Sequence, residues 1–200
     1  EPGEWRVLDM MTGWAADIWT DFTLDYIRAH KDGPWFISLA YILPHRPWVC
    51  DEKYRAPFLA QGCSEELASC YGCIAHLDAC VGRLLAGLRE AGQAERTIVV
   101  FLSDNGPTGP DSKRAGPDGF VTGEDWERRN VAKLRGHKAA GWDNGIRVPC
   151  LVRWPGRVAP GERAAVGRVE DLLPTLLDPA AVPADALAHM PFTGESLRPA

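Results

Sequence analysis

Apolar residues recur at helical spacing from about Trp14 to Lys31. Ile18, Phe22, Tyr26 and Ile27 lie on one side and Asp17, Asp21, Asp25 and Arg28 on the other. The pattern predicts an amphipathic helix, ended by Gly33-Pro34. The period then changes. Trp35-Phe36-Ile37-Ser38-Leu39-Ala40-Tyr41-Ile42 is almost continuously apolar and reads as a strand. It stops at Pro44-His45-Arg46-Pro47, where two prolines remove ladder donors. A loop containing Pro57 follows. Ser64 is the expected N-cap of a long helix, with Glu65 and Glu66 in the dipole-favoured first turn. Leu67, Cys70, Tyr71, Ile74, Leu77, Val81, Leu84, Leu85 and Leu88 carry its stripe, and Gly92 is the expected stop. Thr97 to Ser103 is a second buried-strand pattern.

Strand, helix, strand predicts a right-handed βαβ unit with two parallel strands. The expected fold class is therefore α/β, a mostly parallel sheet with flanking helices. Parallel strands would place Pro44-His45 and Asp104-Asn105 at one edge, where open α/β sheets bind ligands. From Gly106 to Trp142 the chain is polar and glycine-rich, a length that marks a functional or mobile loop. Arg147 to Pro155 predicts a short strand, with Pro149 at its edge or start. Glu170 to Leu177 predicts a short helix, with Pro174 tolerated only in the first turn. The Pro- and Ala-rich tail gives no assignment.

Hydrophobic residues make up 46% of the 200, enough for a real core, and the 24% charged residues argue against disorder. A net charge of -5 without a basic run argues against nucleic-acid binding. No apolar run is long enough to span a bilayer. The N-terminus has neither the basic region nor the apolar segment of a signal peptide. Both ends suggest a piece of a longer chain, which leaves localisation open. The eight tryptophans are scattered and suggest packing or a cleft wall.

Cys63, Cys70, Cys73 and Cys80 fall within or beside the long helix. Cys70 and Cys73 have the C-x-x-C spacing of a zinc or redox motif, yet no second pair completes four ligands. Small buried hydrophobes is the preferred reading, with a metal or disulfide as the alternative. Cys50 and Cys150 are isolated.

Ser103-Asp104-Asn105-Gly106 closes the second strand with hard oxygen donors suited to Ca²⁺ or Mg²⁺. The same residues also favour a plain turn. His45 sits on a stiff mount between prolines, as suits an acid or base, or it is a hydrogen-bonded turn residue. Lys138 in Arg135-Gly136-His137-Lys138 can clamp an anionic oxygen or be a solvated loop lysine, and His137 beside it is easily confused with it. His76 is expected to be structural, and His30 and His189 to be surface residues.

Taken in order, these segments resemble the type I sulfatase family of the alkaline phosphatase superfamily. The matching stretches are Pro44-His45-Arg46-Pro47, the helix with His76-Leu77-Asp78 and Val81-Gly82-Arg83-Leu84, and Ser103 to Gly106. Arg135 to Lys138 with Asn144 to Pro149, Arg153 to Gly156, Glu170 to Leu177 and Gly194 to Leu197 follow. The resemblance implies that Asp104 and Asn105 ligate a divalent cation, usually Ca²⁺. It implies that Lys138 contacts the sulfate and ester oxygen and that His45 protonates the leaving oxygen. The chain departs from the family in lacking its formylglycine nucleophile, made from the Cys of Cys-x-Pro/Ala-x-Arg, because none of the six cysteines has that context. The N-terminal Asp-Asp metal pair and the Lys-x-His segment are also missing.

Residues 1–200 are thus expected to be a partial sulfatase catalytic domain, without its N-terminal nucleophile half and its C-terminal subdomain. Such a piece is expected to be inactive by itself, with an unpaired sheet edge that favours aggregation. The implied substrate is a sulfated small molecule or carbohydrate. The alternatives are a phospho- or phosphonate-monoester hydrolase of the same superfamily, whose members often carry Asp-His at this place, and a non-catalytic remnant or binding module. An amide at Asn105 tilts the reading toward sulfatase.

Overall fold

The computed structural model describes residues 13–110, 122–177, 180, 182 and 193–197. The chain divides into two compact units, residues 1–158 and 159–200.

In the first unit, helix α1 (Ala15–Ala29) packs on the long helix α3 (Glu65–Glu90). The buried residues of α1 are Ala16, Thr20, Thr23, Leu24 and Ile27. Phe22 and Tyr26, expected inside, are exposed, and Asp17, expected outside, is turned toward α3. The reason is the partner surface. Gly87 of α3 receives Leu24 so closely that an added Cβ would lie 2.2 Å from its Cδ2, and Asp17 has a cation to meet there. The stripe thus runs through Ala16, Thr20, Thr23, Leu24 and Ile27 and leaves the aromatic Phe22 and Tyr26 outside.

Helix α2 (Glu52–Ala60) replaces the expected loop around Pro57. Asp51 caps it by accepting the Lys53 N–H at 3.1 Å, and this backbone bond holds the Asp51 carboxyl below its usual range. α2 lies along α3, so α3 is covered by α1 and α2 together. Cys70, Cys73 and Cys80 are buried among these helices, with all six cysteines free. Ser64 caps α3 as expected, accepting the Leu67 N–H at 3.1 Å.

Strand β1 (Val99–Leu102) pairs antiparallel with β2 (Cys150–Arg153), in the register Val99 to Arg153 and Leu102 to Cys150. This is a different pair from the expected one of Trp35–Ile42 with β1, for which no ladder forms among the described residues. Trp35–Ile42 is extended, and its burial alternates: Trp35, Ile37, Leu39 and Tyr41 turn inward while Phe36 and Ile42 are exposed. Tyr41 reaches Thr20 of α1 at 2.7 Å. Among the described residues, no backbone hydrogen bond joins this segment to β1 or β2. Pleating is a local property of the sequence, whereas a ladder requires a neighbour about 4.8 Å away. Within these residues, β2 is the neighbour that β1 has. Pro149 stands just before β2 and accepts the Ser103 N–H at 3.4 Å, so it occupies a strand start.

The expected loop from Gly106 to Trp142 contains helix α4 (Gly123–Arg129) and is followed by a single turn, α5 (Asp143–Ile146). Asp125 of α4 is buried and accepts from the Ser64 hydroxyl at 2.6 Å. One serine thus caps α3 and anchors α4. In the second unit, a tight turn at Val169–Asp171 leads into α6 (Leu172–Leu177), with Pro174 in the first turn. Asp171 accepts the backbone N–H groups of Arg168 at 2.7 Å and Glu195 at 2.9 Å. These bonds hold its carboxyl below the ordinary range.

Candidate functional site

β1 ends at Leu102, and the chain turns at once. The Ser103 hydroxyl donates to the Asn105 carbonyl at 2.9 Å. Gly106 N–H then donates to the Gly145 carbonyl at 2.9 Å. A Cβ on Gly106 would stand 1.7 Å from the Asn144 carbonyl oxygen, so only glycine permits this approach. Asn105 donates from Nδ2 to the Gly106 carbonyl at 3.0 Å. That bond uses one of the amide's two N–H donors and leaves its oxygen as an acceptor. Asp104 is exposed, and no hydrogen bond or ion pair engages its carboxylate among the described residues.

The loop carrying Lys138 is laced to this turn. Lys138 N–H donates to the Pro107 carbonyl at 2.7 Å. Asn144 holds the loop from behind, with its N–H on the Arg135 carbonyl at 2.9 Å and its side chain on the Gly136 carbonyl at 3.1 Å. Gly136 has φ 89° and abuts Trp142, whose ring lies 3.5 Å from the Arg135 guanidinium. A side chain at either Gly106 or Gly136 would unlace the turn. His137 fits against Gly109 and donates from Nδ1 to the Lys138 carbonyl at 2.8 Å. It is therefore a loop brace.

His45 stands between the cis peptide bonds Leu43–Pro44 and Arg46–Pro47. Its Nδ1 bonds to the Arg46 carbonyl at 2.6 Å. A carbonyl only accepts, so Nδ1 carries the proton, and Nε2 is the nitrogen available to an incoming group. Trp48 closes the turn by donating to the Pro44 carbonyl at 2.9 Å. Its ring is 5.2 Å from the Arg129 guanidinium, and Arg129 in turn donates to the Thr108 carbonyl at 3.0 Å.

Asp104, Asn105 and Lys138 are thus carried by one laced pair of loops. His45 connects to that pair through Trp48, Arg129 and Thr108, without a direct hydrogen bond to the other three among the described residues. Sequence reasoning missed Trp48 and Arg129. Arg129 lies in a helix the hydropathy pattern did not reveal, and Trp48 was one of several scattered tryptophans. His189 lies outside the described residues, and His30 is exposed and stacked on Tyr26 at 3.9 Å.

Asp104 and Asn105 suit a hard cation. A second grouping, Asp17, His76 and Cys80, brings donor atoms within 4.8 Å of one another. Its chemistry differs. His76 is buried and bonds through Nε2 to Asp17 at 2.9 Å, while Arg83 donates to the same carboxylate at 2.7 Å. The carboxylate is already balanced by a guanidinium, so the trio is a polar brace between α1 and α3. His76 is stacked on Tyr54 at 4.5 Å.

The sulfatase family model matches residues 8–182. The chain belongs to the sulfatase family. It is 32% identical to the steryl-sulfatase of Mus musculus over 157 residues, 76% of this chain and 22% of that protein. It is 31% identical to human arylsulfatase A over 174 residues, 84% of this chain and 29% of that protein. An N-acetylgalactosamine-6-O-sulfatase of Bacteroides thetaiotaomicron is 28% identical over 165 residues, 80% of this chain and 29% of that protein. The chain therefore spans under a third of these relatives. The crystal structure of Ps i-CgsB superposes with a TM-score of 0.76 at 25% identity, covering 94% of this chain and 38% of that one. The fold is α/β, part of the alkaline-phosphatase-like sulfatase architecture.

Proposed function

We propose that this chain supplies the leaving-group side of a sulfatase active site, as the later part of the catalytic domain of a sulfuric ester hydrolase. The observation that carries the reading is the bond from Lys138 N–H to the Pro107 carbonyl, which binds the lysine loop to the Asp104-Asn105 turn. In this reading Lys138 holds the sulfate and the bridging ester oxygen by charge. His45, protonated at Nε2, donates a proton to that oxygen as the S–O bond breaks. Asp104 and Asn105 would hold a divalent cation, Ca²⁺ or Mg²⁺, through their hard oxygens. When bound, the cation supplies charge stabilisation to the sulfate oxygens. An ammonium and an acid directed at developing negative charge are a strong stabilising arrangement. The nucleophile, a formylglycine, belongs to a Cys-x-Pro/Ala-x-Arg segment outside these residues.

The substrate class is a sulfate monoester of a small molecule or carbohydrate. Among the relatives are a steryl-sulfatase and an N-acetylgalactosamine-6-O-sulfatase. One neighbouring structure holds k-i-k-neocarrahexaose. The test compares 4-nitrophenyl sulfate with 4-nitrophenyl phosphate, using the longest natural form of the protein. Sulfate should be hydrolysed faster, and Lys138→Ala should lower kcat/KM by about 10²–10³. His45→Ala should slow esters of poor leaving groups more than the nitrophenyl ester. A preference for phosphate, or an unaffected Lys138→Ala variant, would sink the assignment.

A further inference from the structure

His45 has no direct hydrogen bond to Asp104, Asn105 or Lys138 among the described residues, so its place relative to them is set by other contacts. Those contacts converge on the C-terminal end of α4. The Arg129 guanidinium lies 5.2 Å from the Trp48 ring and 6.0 Å from the Trp126 ring, and its Nη1 donates to the Thr108 carbonyl at 3.0 Å. Trp48 in turn holds the Pro44 carbonyl, one residue before His45, at 2.9 Å. Thr108 follows Pro107, whose carbonyl takes the Lys138 N–H at 2.7 Å. Asn130, next to Arg129, grips the start of the lysine loop. Its Nδ2 donates to the Leu134 carbonyl at 2.9 Å, and its Oδ1 accepts the Leu134 N–H at 3.0 Å. α4 itself is fixed to α3, where Ser64 donates to Asp125 at 2.6 Å and the Tyr71 hydroxyl donates to the Arg128 carbonyl at 3.2 Å.

We propose that Arg129 is the positioning residue for His45, a joint that holds the histidine turn at a fixed place beside the loops of Asp104 and Lys138; this role rests on His45 being the proton donor proposed above. A guanidinium suits the joint because it is planar. Its face takes an indole ring while an edge N–H meets a carbonyl. Trp48 is half-buried and bonded to the backbone beside His45, so a shift of its ring is passed to the imidazole. Arg129 acts through His45 and not on the ester, since its face and its Nη1 are already engaged.

The consequence is selective. Proton donation requires heavy atoms about 2.6–3.2 Å apart, and a displacement of about 1 Å can cost about 10²-fold in rate. Lys138 keeps its own anchor on Pro107, so substrate capture by charge survives the loss of Arg129. What is lost is help to the departing oxygen. A nitrophenolate leaves without that help, whereas a plain phenolate needs it.

The experiment uses the longest natural form of the protein and measures kcat and KM on 4-nitrophenyl sulfate and on phenyl sulfate. Arg129→Ala should lower kcat on phenyl sulfate by about 10–10²-fold, change that on 4-nitrophenyl sulfate by less than about threefold, and leave KM within about twofold. The ratio of the two rates does not depend on how much of a variant is folded, so partial misfolding cannot imitate this result. Trp48→Leu removes the ring from the same joint and should move the ratio in the same direction; it serves alone should Arg129→Ala fail to accumulate. Added to His45→Ala, Arg129→Ala should move the ratio no further. Equal slowing of both esters by Arg129→Ala, or a ratio that still moves once His45 is gone, would overturn the proposal. Were His45→Ala itself to leave the ratio unchanged, the proton-donor reading would fall and this role with it. A ratio moved by His45→Ala but not by Arg129→Ala would strike the role of Arg129 alone.

Discussion

Lys138 and Pro107 are joined by a backbone hydrogen bond of 2.7 Å, although 31 positions separate them in the chain. The bond concerns main-chain atoms alone, so the lysine side chain stays free to act while its anchor is fixed. The same lacing depends on glycines at contact points, and that dependence is measurable.

Gly106→Ala should destabilise the first unit by about 2–3 kcal/mol, because its Cβ would fall 1.7 Å from the Asn144 carbonyl oxygen and force the two loops apart. Gly82→Ala is the control. It lies in α3 with open space around it and should stabilise by about 0.5–1 kcal/mol. Urea unfolding of both variants measures the difference. Equal midpoints would show that the loops are not tightly laced.

Asp17→Ala should cost about 1–3 kcal/mol, since it strips the buried His76 Nε2 and the Arg83 guanidinium of their shared acceptor. The brace is coupled. A double-mutant cycle of Asp17→Ala with His76→Phe should therefore give a non-zero interaction energy in chemical denaturation, with the second change costing less once the first is made.

Acid should loosen the second unit at Asp171. Its carboxyl is held below the usual range by the Glu195 and Arg168 N–H groups, so the folded state binds its proton less readily than the unfolded one. The sign follows: this stabilisation is complete above the ordinary Asp value of about 4 and is lost as pH falls through the lower folded value. Hydrogen exchange at the Glu195 amide should accelerate in that window, relative to the intrinsic rate, and Asp171→Asn should remove the transition. A flat protection profile would contradict it.

Calcium should perturb the Asp104 and Asn105 resonances at about millimolar concentration, the weak range expected of few ligands. Asp104→Ala should abolish the response, while Asp17→Ala should not. A calcium response that follows Asp17 instead would move the cation site to the brace.

Much of the helical layout was legible in the sequence, because a cap and a 3.6-residue period are local facts. Ser64, the Leu67, Cys70, Leu77 and Leu88 positions of the α3 stripe and the Pro174 start of the last helix needed no partner to be recognised, whereas Ile74 of that stripe is exposed and Cys73, His76 and Cys80 are buried in its place. Among the described residues, α2 and α4 escaped that reading, as did the single turn α5. α2 has a proline inside it and no buried side chain, so it has no stripe to detect. α4 is held by Asp125 on Ser64, a polar contact between residues far apart in sequence.

The site divides in the same way. Residue types alone nominated His45, Asp104, Asn105 and Lys138, because an imidazole between prolines and hard oxygens after an apolar strand are chemical patterns carried by neighbours in the chain. The sequence likewise determined that Trp35–Ile42 would be pleated. Tertiary structure alone decided that β1 pairs with β2 antiparallel. It alone decided that Asp17 faces inward, and that Trp48 and Arg129 tie the histidine turn to Thr108. Periodicity tells which side of an element is apolar, but pairing partners, ion pairs and loop closures depend on what other segments bring within a few ångströms.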